Sequence, residues 1–122
     1  MKLEDVEALC RSQPGASEDY PFNADTLVFR VAGKIFAFVS HPEKRERVTL
    51  KCDPELALHL RNQFEGVIPG YHTNKRHWNS VYLDAGIADD EIQDMIDHAY
   101  ARVVAGLTKA RRATLARSVL AS

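Results

Sequence analysis

Leu3, Val6, Leu9 and Cys10 recur at helical spacing, which predicts an amphipathic helix over residues 2–13 that Pro14-Gly15 brings to a stop. Residues 16–25 follow neither the helical nor the strand period and are rich in turn formers. They read as a loop whose aromatics, Tyr20 and Phe22, plug the core. Thr26–Val31 and Lys34–Ser40 are rich in β-branched and aromatic residues and are separated only by Ala32-Gly33, so they read as a tight hairpin. Strict alternation puts Leu27, Phe29, Phe36 and Phe38 on one aromatic core face, and Val28, Arg30, Ile35 and Ala37 on the other.

Residues 47–52 alternate cleanly, with Val48, Leu50 and Cys52 inward and Arg47, Thr49 and Lys51 outward. Asp53-Pro54-Glu55 is a helix start: the Asp side chain accepts free amide hydrogens, and proline loses nothing at the first position. This second helix runs to about residue 63 with Leu56, Ala57, Leu60 and Phe64 as its stripe, before Gly66 and Pro69-Gly70 open a loop over residues 71–77. Residues 78–83 form another strand, with Val81 and Leu83 on one face and Trp78, Ser80 and Tyr82 on the other. Asp89, Asp90 and Glu91 begin the longest helix, where carboxylates complement the helix dipole. Ile92, Ile96, Ala99, Val103 and Leu107 form its buried stripe. After Gly106 and Thr108, residues 109–120 are a short basic helix or a frayed extension. The order α-β-β-β-α-β-α predicts an α+β fold, a mainly antiparallel sheet with helices packed on one face and the other face left open.

Composition narrows the class. A chain of 122 residues is the size of one domain, taken as residues 1–122 with 108–122 as a basic C-terminal extension. Its 45% hydrophobic and 27% charged residues exclude the disordered class. No apolar run approaches the roughly 20 residues that span a bilayer, and the opening Met1-Lys2-Leu3-Glu4-Asp5 is acidic where an export signal is basic, so no membrane association and a cytoplasmic location are expected. Cys10 and Cys52 form no CxxC pair and read as buried, reduced thiols.

The formal net charge of −1 conceals segregation. Residues 1–29 carry two basic and six acidic side chains, and residues 30–77 carry nine and five. Residues 78–97 carry none and six, and residues 98–122 carry five and none. The surplus in residues 30–77 coincides with aromatics on the second sheet face. Arg47, Lys51, Trp78 and Tyr82, extended by Lys75, Arg76 and His77 on the preceding loop, form the candidate nucleic-acid strip. The cations neutralise phosphates and release counterions, and the rings stack on bases or sugars. Against this stand the ordinary roles of such residues, a lone Trp in the core and solvated loop cations. A pI near 6.5 limits any DNA affinity to a modest, salt-sensitive one.

Catalysis has one place to reside, the polar segment Tyr71, His72, Asn74, Lys75 and His77. No nucleophile motif, glycine-rich phosphate loop or metal-spaced Cys/His set accompanies it, so no enzyme activity, metal or cofactor is expected. Tyr71, His72 and Asn74 then serve to hydrogen-bond the loop into a fixed shape.

The combination of Pro69-Gly70-Tyr71-His72, His77-Trp78, Leu50-Lys51-Cys52-Asp53-Pro54, Asp19-Tyr20-Pro21-Phe22 and Gly33-Lys34-Ile35-Phe36-Ala37 resembles the MmcQ/YjbR family, in order from about Leu3 to Leu107. The resemblance implies a CyaY-like sheet flanked by helices, a double-wing arrangement, and DNA as the partner. It implies nothing for Arg111, Arg112 or Arg117, which lie beyond the family pattern. The expected function is therefore a non-catalytic, weakly and electrostatically binding DNA module. The alternative is a small-anion-binding or protein-interaction module using the same basic strip.

Overall fold

The computed structural model describes residues 1–40, 45–71 and 73–121. Along the chain lie α1 (Leu3–Arg11), β1 (Ala16–Asp19), β2 (Thr26–Val31), β3 (Lys34–Ser40), β4 (Arg47–Lys51), α2 (Pro54–Gln63), β5 (Val67–Pro69), β6 (Trp78–Tyr82), α3 (Asp89–Ala105) and α4 (Lys109–Ala121). The strands form one antiparallel sheet in the order β1-β2-β3-β4-β6-β5. The fold is α+β, and the expected frame is present with a short strand added at each edge of the sheet.

Those edge strands explain why the pattern hid them. Three of the four residues of β1 are exposed, so this strand has no buried face to impose alternation. It is held by pairing with β2 and by the Arg30–Asp19 ion pair at 3.1 Å. At the other edge β5 is three residues long and ends in Pro69, which suits a position that donates no ladder hydrogen bond.

The core lies on one face of the sheet. Leu27, Phe29, Phe36, Ala37, Val39, Val48, Leu50 and Val81 meet Val6 and Cys10 of α1 and Ile92, Ile96 and Ala99 of α3. One alternation differs from expectation. The β2–β3 register passes from Phe29↔Ala37 to Arg30↔Ile35, leaving Phe36 as the extra residue of a bulge. Phe36 and Ala37 therefore both join the core, and Phe38, expected inward beside Phe36, points to the second face. There Phe22 stacks on it with ring centroids 6.3 Å apart. Phe22 and Tyr20, expected as core plugs, are 65% and 53% exposed.

Local signals hold elsewhere. Asp53 caps α2 by accepting the amide hydrogens of Glu55 and Leu56 at 3.1 and 3.2 Å, with Pro54 at the first position. The Ala32-Gly33 turn has φ of +50° and +79°, the left-handed pair of a two-residue hairpin. α4 is ordered by Thr108, whose hydroxyl accepts the Arg111 amide hydrogen at 3.2 Å, and by Leu115, which packs against the core cluster. A Cβ on Gly15 would come within 2.5 Å of Leu115 Cδ1, so that glycine is what admits the helix. Both cysteines are buried and free; burial raises the Cys10 thiol to about 12 and the Cys52 thiol to about 11, leaving them as small hydrophobes.

Candidate nucleic-acid interface

The β4–β6 ladder sets the second face by register: Lys51 lies opposite Trp78, Thr49 opposite Ser80, and Arg47 opposite Tyr82. Alternation thus delivers the expected face of these six side chains intact. The face is less open than expected at its centre. Val28, Thr49 and Ser80 are buried. Phe22 roofs Phe38 on one side, and the Tyr71 amide donates to Ser80 Oγ at 3.0 Å on the other.

At one end of the ladder, the Lys51 ammonium stands 5.2 Å from the centroid of the Trp78 ring, itself packed 5.2 Å from Phe38. Trp78 is half-buried, serving the sheet face instead of the core. Beyond it opens a groove of about 440 Å³, where the end of α3 meets the β2–β3 turn, lined by Arg30, Lys34, Lys51 and Arg102 together with Trp78 and Ile35. Arg30 pairs with Asp19, and Arg102 stands 3.8 Å from Asp53. Among the described residues no carboxylate pairs with Lys34 or Lys51. Burial, followed by repulsion from Arg102, pushes the Lys51 ammonium below its ordinary value. A groove crowded with under-compensated cations attracts an anion.

The other strip residues go elsewhere. Arg47 lies at the far end of the ladder, about 13 Å along the strands from Lys51 at strand rise, with its guanidinium carbon 4.4 Å from the Tyr71 ring centroid. Tyr82 lies beneath Arg45, which is paired to Asp84. Lys75 donates its ammonium hydrogen to the Gly70 carbonyl, and its own carbonyl accepts from Arg61, which also donates to Asn79 Oδ1 at 2.7 Å. Asn74 Oδ1 accepts the Arg76 amide hydrogen at 3.0 Å, and the His77 carbonyl accepts the Cys52 amide hydrogen at 2.8 Å. The loop is therefore fixed by its own polar groups, with Lys75 among its ties. Arg76 is exposed and lines, with Lys75 and Arg61, a separate groove beside Glu55 and Leu58 of α2. His72 and residues 41–44 lie outside the described residues.

Sequence reasoning did not single out Arg30, Lys34 and Arg102. Alternation already put Arg30 on the same face as Lys51, and that was the available signal. Lys34 follows from the turn, whereas Arg102 reaches the groove only through the packing of α3 across the sheet. Among the described residues no three His, Cys, Asp or Glu side chains gather as metal ligands, and no helix is long and apolar enough to cross a membrane.

An antiparallel sheet with helices on one face and cations among aromatic rings on the other defines a small α+β protein of a recognisable type. The YjbR family profile matches residues 11–102. The chain is 35% identical over 115 residues to uncharacterized protein YjbR of Escherichia coli K12, covering 94% of this chain and 98% of that one. It is 31% identical over 111 residues to uncharacterized protein YyaQ of Bacillus subtilis 168, covering 80% and 93%. The crystal structure of Deinococcus radiodurans protein DR2400, described as a DUF419 domain, superposes with a TM-score of 0.87 at 32% identity over 94% of this chain and 88% of that one. A Pseudomonas syringae crystal structure superposes at 0.71 with 26% identity, covering 81% and 96%. The chain belongs to the YjbR family.

Proposed function

We propose that the protein is a non-catalytic DNA-binding module, binding weakly and mainly through the sugar-phosphate backbone. The observation that carries this reading is the groove at the end of the β4–β6 ladder, where Arg30, Lys34, Lys51 and Arg102 gather around Trp78 with, among the described residues, only Asp19 and a distant Asp53 as counter-charge. Lys34 and Lys51 are the phosphate contacts, because neither has a carboxylate partner among the described residues. Trp78, half-buried under Lys51, offers a ring edge to a sugar or base. Arg111, which reaches the Ala32 carbonyl at 3.5 Å from α4, brings a fifth cation to the hairpin turn. Arg76 supplies an exposed outlying charge, whereas the Lys75 ammonium is occupied by the loop.

Few phosphates are neutralised by so small a cluster, so the expected affinity is low and falls with a shallow but measurable salt slope. Fluorescence anisotropy of a labelled duplex and a labelled single strand, each at low and at physiological salt, tests this. Saturable binding that weakens with salt supports the reading, and no binding at low salt removes it.

A further inference from the structure

Two side-chain polar atoms among the described residues are buried without a hydrogen-bond partner, Arg47 Nε and Thr73 Oγ1, and both residues line one cleft on the second face of the sheet. That cleft holds about 530 Å³, within the range of small-molecule sites. Its walls are the Phe22–Phe38 stack on one side and Tyr71 on the other, and Arg47 and Thr49 lie between them. Phe22 and Tyr71 are 65% and 53% exposed, an arrangement that leaves apolar ring surface in water.

The polar groups are donors awaiting an acceptor. A guanidinium N–H out of water and without a partner forfeits a hydrogen bond that an anion would restore. Thr49 and Ser80 share one hydrogen bond at 2.7 Å, and Ser80 Oγ also accepts the Tyr71 amide hydrogen. Two hydroxyls bring two hydrogens and their mutual bond uses one. With Ser80 donating to Thr49, the Thr49 hydroxyl hydrogen is available to the cleft it lines. Charge sets the class of ligand further. Among the described residues Arg47 is the one cation lining the cleft and Asp25 adds a carboxylate to its lining, so a single negative charge is matched and a polyphosphate is opposed.

We propose that this cleft binds a flat organic monoanion, an aromatic ring bearing one carboxylate. The carboxylate sits on the Arg47 guanidinium and the Thr49 hydroxyl, and the ring lies between Phe22 and Tyr71. The site is distinct from the Lys51 groove and stands whether or not that groove binds DNA.

The test is an amide chemical-shift titration of the whole chain with 2-naphthoate, with its neutral isostere 2-naphthamide, and with inorganic phosphate. Saturable 2-naphthoate shifts at Phe22, Phe38, Arg47, Thr49 and Tyr71 are expected, with the amide binding about tenfold more weakly because it lacks the charge. Arg47→Gln lowers 2-naphthoate affinity about tenfold. Phe22→Ala, at an exposed position where folding is not at stake, lowers it several-fold, and Lys51→Ala leaves it unchanged. The proposal is overturned by absence of saturation in the millimolar range, by equal affinity for acid and amide, by indifference to both Arg47→Gln and Phe22→Ala, or by inorganic phosphate displacing 2-naphthoate.

Discussion

Thr49 and Ser80 face each other across β4 and β6 with hydroxyl oxygens 2.7 Å apart, both buried on the face of the sheet opposite the α1–α3 core. The pair joins two interior strands and, through Ser80, holds the Tyr71 amide. Thr49→Val leaves the Ser80 hydroxyl short of a buried partner and is expected to cost about 1–3 kcal/mol in urea unfolding. Thr49→Val with Ser80→Ala is expected to cost less than the two single changes added, because their common hydrogen bond is counted once. Strict additivity would mean that the bond contributes nothing.

The β2–β3 turn carries a correctable strain. Ala32 has φ of +50° ahead of Gly33 at +79°, in a turn type that favours asparagine at the first position. Ala32→Asn is expected to raise stability by about 0.5–1 kcal/mol, read as a higher midpoint in thermal or urea unfolding. Since Arg30, Lys34 and Arg111 surround this turn, the same variant should leave the basic groove intact.

His98 links stability to pH. Its Nε2 accepts the Asp53 amide hydrogen at 3.1 Å, which requires the neutral ring. Burial lowers its pKa below the ordinary 6.5; Asp53 pulls upward, and Arg102 adds to the lowering. A histidine whose folded value is depressed binds fewer protons folded than unfolded throughout the interval between the two values. Its contribution is therefore complete above pH 6.5 and is lost as pH falls through the depressed value. Thermal midpoints should fall as pH drops below 6.5, and His98→Gln, which keeps an acceptor but does not titrate, should flatten that decline relative to wild type. Parallel curves for the two proteins would remove His98 as the linked group.

Much of this architecture was legible in local pattern. The bounds of β2 and β3, the Asp53 cap and the second-face set of Lys51, Thr49, Trp78, Ser80 and Tyr82 all follow from period-two alternation and from capping chemistry. The failures have physical causes. A bulge at Phe36 shifts alternation by one residue, so no strict period-two reading puts Phe36 inside and Phe38 outside. β1 has no buried side to betray it, and its ion pairs with Arg11 and Arg30 are tertiary. The site was legible as a list of residues but not as a place. Arg47 and Lys51 stand on one strand, four residues apart and on one face, yet they belong to two different concavities. Arg102 enters through helix packing, which alternation does not encode.

The central claim is that the groove around Lys51 meets the phosphate backbone. The direct measurement is the salt dependence of duplex binding by anisotropy for wild type, for a Lys34→Ala, Lys51→Ala, Arg102→Ala variant, and for Lys75→Ala. The account predicts a lower affinity and a salt slope shallower by about two to three for the triple variant, roughly one unit per phosphate contact removed. Lys75→Ala should keep the wild-type slope, since that ammonium already serves the Gly70 carbonyl. Wild-type affinity and slope in a folded triple variant would contradict the account, because binding would then lie outside the groove.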